Sequence, residues 1–217
     1  MRTAAALLLV LLAGCSNLAY DYALPESTYV VRAGDTLYSI AWRHGIDHRD
    51  LARWNNIADV NRIYVGQRLT LSPGARPQSA PRPVVAITPE ISERPAFNWP
   101  ARGDIVARFG ERGTLATGIG IAGPLGADVD AAAPGRVVYA GSGLVDYGQL
   151  VIIQHNESWL TAYGHNQRLL VTQGEVVDRG QKIAEIGLGP GRQPRLYFEI
   201  RFDGDPLDPL TYLPAFD

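Results

Sequence analysis

Leu150-Val151-Ile152-Ile153-Gln154-His155-Asn156-Glu157-Ser158-Trp159-Leu160-Thr161-Ala162-Tyr163 is the stretch that decides the fold. Two apolar runs, residues 150–153 and 160–163, flank a polar connection at residues 155–158. Short runs rich in β-branched and aromatic residues read as strands when turn formers bound them, and the polar connection reads as a hairpin. The signature recurs on both sides. Arg136-Val137-Val138-Tyr139-Ala140 comes before it and Leu196-Tyr197-Phe198-Glu199-Ile200 after it. No part of residues 97–217 has the periodicity of a helix of ordinary length. This stretch is therefore expected to be one mainly antiparallel, all-β domain.

Upstream, residues 73–96 hold prolines 73, 77, 81, 83, 89 and 95 and almost no apolar periodicity. Such a segment reads as an extended, semi-rigid linker. Residues 29–72 have a different pattern. Tyr29-Val30-Val31 predicts a strand, Ala33-Gly34-Asp35 a turn, residues 37–44 and 49–55 two helices, and residues 67–71 a closing strand. Leu37, Ile40 and Ala41 share one helical face, as do Leu51 and Trp54. Asp35 or Thr36 can cap the first helix, because a short side-chain oxygen accepts the free N–H groups there. Asn55-Asn56 suits a helix end that needs a left-handed residue. The result is a small α+β unit of βααβ order, so the chain is multidomain.

The N-terminus is a targeting signal. Arg2 precedes an apolar stretch, residues 4–12, that is too short for a bilayer, which needs about 20 residues. The stretch ends at Leu12-Ala13-Gly14-Cys15, which resembles a bacterial lipobox. The resemblance implies a signal peptide over residues 1–14, cleavage before Cys15, acylation of that cysteine and a lipidated tether over residues 15–28. Ser16 rather than Asp follows the cysteine, a pattern that implies sorting to the outer membrane, facing the periplasm. Cys15 is the only cysteine among 217 residues, so no intramolecular disulfide, zinc ribbon or CxxC redox pair can form. The net charge of −2 gives no electrostatic reason to expect nucleic acid as a partner.

Residues 29–72 resemble a LysM module. The likeness is carried by Tyr29-Val30-Val31-Arg32-Ala33-Gly34-Asp35-Thr36-Leu37, Ile40-Ala41, Leu51, Trp54-Asn55 and Ile63-Tyr64-Val65-Gly66-Gln67-Arg68-Leu69. It implies binding of peptidoglycan between two loops, with Gly34, Asp35, Thr36 and Leu37 on one side and Asp59, Asn61, Ile63 and Tyr64 on the other. Asp35, Thr36 and Leu37 would also be needed simply to fold the module.

Residues 97–217 resemble the M23 (LytM-type) peptidase domain. The landmarks are Trp99-Pro100, Phe109-Gly110, Ala133-Pro134-Gly135-Arg136, Tyr163-Gly164-His165, Gly180-Gln181, Phe198-Glu199 and Asp208-Pro209. Active members cut peptide cross-links with a zinc-bound water held by an H-x-G-x-D motif and the last His of H-x-H. A catalytic zinc needs about three protein ligands and an open position. Here Ala116-Thr117-Gly118-Ile119-Gly120 replaces the first motif and Arg195-Leu196-Tyr197 the second. Ala116 and Gly120 offer no donor atom, and Tyr197 is a poor zinc ligand while neutral. His165 matches the remaining catalytic histidine, without a metal to assist. No metal or other cofactor is expected, and His155 is expected to be structural.

The resemblance then points to the catalytically degenerate murein hydrolase activators of the NlpD and EnvC type. It implies that the emptied groove, Ala116, Gly120, His165, Arg195 and Tyr197, binds a periplasmic N-acetylmuramoyl-L-alanine amidase and releases its autoinhibition. Arg195 could instead pair locally with Glu199 or Asp203. Two other functions stay open: a working endopeptidase with a zinc site rebuilt around His155 and His165, and a purely structural link between lipid and wall. Gly187-Leu188-Gly189-Pro190-Gly191 lacks the spacing of a phosphate-binding loop and is expected to be a turn.

Overall fold

The structure is a computed structural model that describes residues 28–72, 94–111 and 116–215. Cys15, the signal peptide and most of the proline-rich segment lie outside the described residues.

The N-terminal unit runs β1 (Thr28–Val30), α1 (Leu37–His44), α2 (His48–Trp54) and β2 (Arg68–Thr70), with β1 and β2 antiparallel. Thr36 is the N-cap of α1. Its hydroxyl accepts from the Ser39 N–H, and the Ser39 hydroxyl oxygen accepts from the Thr36 N–H, so two helix-end donors are satisfied reciprocally. Gly45, at φ 63, ends the helix in the left-handed region that glycine adopts freely. Asn55 ties α2 to β2. Its amide nitrogen donates to the Leu51 and Thr70 carbonyls, and its amide oxygen accepts from the Thr70 N–H. Leu37, Ile40, Leu51 and Leu69 form the fully buried centre of this unit.

The second unit is a ten-stranded antiparallel sheet. Its strands are β3 (Ile105–Ala107), β4 (Ile119–Ala122), β5 (Asp128–Asp130), β6 (Gly135–Gly141), β7 (Gln149–Gln154), β8 (Trp159–Leu169), β9 (Val176–Val177), β10 (Lys182–Ile186), β11 (Arg195–Phe202) and β12 (Asp205–Leu207). The main order is β3-β4-β11-β8-β7-β6-β9, with β10 pairing β5 and β8, and β12 pairing β11. The hairpin anticipated at residues 155–158 joins β7 to β8. Only short 3-10 turns interrupt the described strands of this unit, one of them at Pro190–Arg192 just before β11.

Side chains alternate across a sheet, so each strand serves two cores. Val151, Ile153, Tyr163, Leu196, Phe198 and Ile200 pack into the larger core with Ile119 and Ile121. Leu150, Ile152, Leu160 and Ala162 face the other way and meet Val138, Tyr139 and Leu144. Tyr38 and Trp42 of α1 close this second core. Removing each of those rings from water contributes about 2 kcal/mol. Helix α1 thus buries two faces, one in its own unit and one against the sheet.

Polar contacts frame the junction. The Tyr38 hydroxyl donates to Gln154 Oε1 at 3.0 Å, and Arg43 Nη2 donates to the Gly143 carbonyl at 3.0 Å. Arg49 bridges Asp47 and Asp203. Gly204, at φ 88, lets the turn between β11 and β12 pass close to Asp47. A Cβ there would lie 2.9 Å from the Asp47 Cα.

Candidate functional site

Strands β4 and β11 lie side by side with Tyr197 opposite Gly120, and β8 flanks β11 with Gly164 opposite Tyr197. The small residues on either side leave a small, open cleft on the second face of the sheet. It is lined by Ala107, Gly118, Ile119, Gly120, His165, Pro190, Arg195 and Tyr197. A Cβ at Gly118 would lie 2.6 Å from the Tyr197 ring and 2.5 Å from the Phe198 carbonyl oxygen, so only glycine fits against β11 there.

Four of the five groove residues expected from the sequence meet in this cleft. Ala116 does not line it. Its carbonyl accepts from the Gly110 N–H at 2.7 Å and so ties its segment to the turn after β3. Gly118, two residues on, takes the position against β11.

His165 sits at φ 60, a left-handed conformation that non-glycine residues seldom adopt and that costs about 1 kcal/mol or more. Its carbonyl accepts from the Gly187 N–H, which fixes the bend. The ring lies 5.9 Å from that of Tyr197, and Nε2 is 3.3 Å from the Asp146 carbonyl. Burial lowers the His165 pKa, and the Arg195 charge lowers it further, while the Asp146 carbonyl opposes both. The ring is therefore neutral near pH 7, and Nδ1 is buried without a hydrogen-bond partner.

Arg195 donates from Nη2 to the Pro190 carbonyl at 3.1 Å, and its Nε has no partner. The two local carboxylates considered for it are taken by other residues. Glu199 pairs with Arg201 and Asp203 with Arg49. Neither carboxylate pairs with Arg195, so the local ion pair expected as an alternative is not formed.

Tyr197 is 4% exposed, and its hydroxyl donates to Glu199 Oε2 at 2.5 Å. Thr117 Oγ1 also reaches Glu199 Oε2, at 3.1 Å, and lies 3.0 Å from the Tyr197 hydroxyl. Burial raises the Tyr197 pKa, and the nearby Glu199 charge raises it again, so the phenol is kept neutral. Burial also raises the Glu199 pKa, against the pull of Arg201 and the hydroxyl donors.

These residues do not fit a catalytic zinc. Ala116 and Gly120 have no donor atoms, the neutral Tyr197 hydroxyl is engaged with Glu199, and His165 is the single imidazole in the cleft. His155 cannot join a rebuilt site. It lies at the far end of β7, with Nδ1 2.7 Å from the Pro134 carbonyl and Nε2 2.8 Å from Thr161 Oγ1. A carbonyl only accepts, so Nδ1 carries the proton.

The sequence did not point to the Thr117-Glu199-Arg201 network beneath the cleft. The available signal was period two on β11, which sets residues 197, 199 and 201 on one face.

In the N-terminal unit the glycan candidates divide by exposure. Leu37 is fully buried and Thr36 is a buried cap, so these two can meet a sugar only through their backbone groups. Asp35 Oδ2 accepts from the Tyr29 hydroxyl and the Arg32 N–H. Ile63 packs half-buried on the core. Gly34, Asp59, Asn61 and Tyr64 are exposed, Tyr64 at 61%. Asp59 Oδ1 shapes their loop by accepting from the Asn61 N–H at 3.0 Å.

Comparison with known proteins agrees with this geometry. The profile of Peptidase family M23 matches residues 114–209, and that of the LysM domain matches residues 29–72. The chain is 43% identical to the lipoprotein NlpD/LppB homolog of Pseudomonas aeruginosa, over 86% of this chain and 76% of that one. It is 37% identical to the lipoprotein YgeR of Escherichia coli, over 94% and 89% of the two chains. It is 34% identical to the murein hydrolase activator NlpD of Escherichia coli, over 87% and 68%. A crystal structure described as peptidase M23 from Pseudomonas aeruginosa shares the fold, with TM-score 0.51 and 22% identity over 58% of this chain and 53% of that one.

Proposed function

From the premise that the chain belongs to the NlpD-type lipoproteins, which join a LysM module to an M23 peptidase domain, we propose that it is a murein hydrolase activator without hydrolytic activity of its own. Its partner is a periplasmic N-acetylmuramoyl-L-alanine amidase that splits peptidoglycan during cell division. The LysM module holds the protein on the wall. Acylated Cys15 holds it in the outer membrane, facing the periplasm.

The observation that carries this reading is the cleft itself. It lies within the stretch that matches Peptidase family M23, while its residues do not fit the catalytic metal. What remains is a surface suited to a protein segment. Arg195 is partly exposed at the cleft and makes no ion pair among the described residues, and arginine and tyrosine are types enriched at the centres of binding interfaces. Val106 and Leu188, 49% and 43% exposed, supply apolar surface beside it. Activation requires that the groove bind the active conformation of the amidase better than the inhibited one.

The test adds the full chain, in detergent, to candidate amidases and purified wall. Release of soluble wall fragments should rise well above the rate of amidase alone. A rate equal to amidase alone for every candidate would refute the activator reading.

A further inference from the structure

The LysM module and the groove are joined by a continuous buried path. Arg201 and Tyr197 are four residues apart on the same face of β11, with Glu199 between them. The Arg201 guanidinium lies 3.6 Å from the Trp42 ring centroid, and its Nη1 reaches the Trp42 carbonyl at 3.4 Å. Its Nε donates to Glu199 Oε1 at 2.6 Å, and the other oxygen of Glu199 accepts from Tyr197 and Thr117. Trp42, Arg201, Glu199 and Tyr197 are all 5% exposed or less. A second route runs through Tyr147, which neighbours Trp42 and stacks edge-on with Tyr197 at 5.5 Å.

We propose that Trp42 is a positioning residue for the groove: the LysM module seals Arg201 from water, Arg201 fixes Glu199, and Glu199 fixes Tyr197 and Thr117 at the cleft. The physical basis is desolvation. A buried ion pair holds its geometry only while both charges keep their partners and water stays out. Trp42 is the lid over that pair. Without it water reaches Arg201, the Glu199 carboxylate gains other donors, and the Tyr197 hydroxyl loses its fixed acceptor. The LysM module would then support the activating surface as well as hold the chain on the wall. This inference rests on the activator reading for its functional consequence, but not for its structural one.

The test uses the full chain as wild type, Trp42→Ala and Trp42→Phe, the last keeping a ring over the guanidinium. Gly204→Ala is a further variant, which crowds the module at Asp47 and leaves the side chains of the path unchanged in identity. Amide hydrogen exchange is followed at residues 117–122 and 195–198, beside amidase-dependent release of wall fragments. Trp42→Ala and Gly204→Ala should each speed groove exchange and lower release about tenfold, the loss of roughly one strong contact, and Trp42→Phe should restore both. Should Trp42→Ala not fold, Gly204→Ala carries the comparison. Groove amides that exchange as in wild type, with only the junction strands affected, would overturn the proposal. If the wild type stimulates no amidase but the exchange changes are seen, the activator reading falls and the coupling stands.

Discussion

Arg195 is the groove residue whose charge can be reversed at least structural cost, because it makes no ion pair among the described residues and its side chain makes one hydrogen bond, to Pro190. Arg195→Glu should cut amidase stimulation by tenfold or more at sub-saturating chain, since reversing a charge at the centre of an interface costs several kcal/mol. An unchanged initial rate would remove Arg195 from the contact. Tyr64 is the matching residue on the LysM side, with its ring 61% exposed. Losing an aromatic contact of about 1 kcal/mol corresponds to roughly fivefold in affinity, so Tyr64→Ala should pellet less with purified wall by about that factor. His155 makes a pH prediction. Burial lowers its pKa from 6.5 to about 4, partly opposed by the Pro134 carbonyl. Between those values the unfolded chain takes up a proton that the folded chain refuses. Stability present above pH 6.5 is therefore lost as the pH falls through the window, by roughly 3 kcal/mol. Denaturant midpoints at pH 7 and pH 4 measure it, and His155→Gln should flatten that part of the slope.

At the scale of elements, α1 shows what the sequence allowed and what it concealed. Its span at Leu37–His44 and its inner face at Leu37, Ile40 and Ala41 were legible, and its cap was narrowed to Asp35 or Thr36, because caps and 3.6-residue periodicity are local. Tyr38 and Trp42 also stand four apart, a second apolar stripe, but sequence spacing cannot say which surface a stripe will meet. Strand β11 hid its meaning in the same way. Tyr197, Glu199 and Arg201 alternate with the apolar residues of β11, yet all are buried, Arg201 against Trp42 of the neighbouring module. The missing metal ligands were legible at residues 116, 120 and 197. The withdrawal of Ala116 from the cleft was not, since it depends on the Gly110 hydrogen bond. The capping box yields a prediction of its own. Thr36→Ala should lower the stability of α1 by about 1 kcal/mol, read as a fall in the melting temperature, while the groove keeps its shape.

Across the whole molecule, one sheet face carries both the groove and the contact with the LysM module. The groove occupies the end near Gly120 and Tyr197, and the LysM module covers the end near Ile152 and Leu160. A core shared between two units makes them unfold together. Thermal unfolding of the full chain should therefore show one transition, and two well-separated transitions would contradict a shared core. The proposal for the cleft is that its residues engage a protein where relatives of the fold would hold a catalytic cation. It is tested most directly by incubating the purified chain with excess zinc, removing unbound metal, and measuring bound zinc and unaided digestion of cross-linked wall on one sample. The account predicts far less than one zinc per chain and no soluble fragments until an amidase is added. One tightly held zinc per chain, with wall digestion by the chain alone, would contradict it.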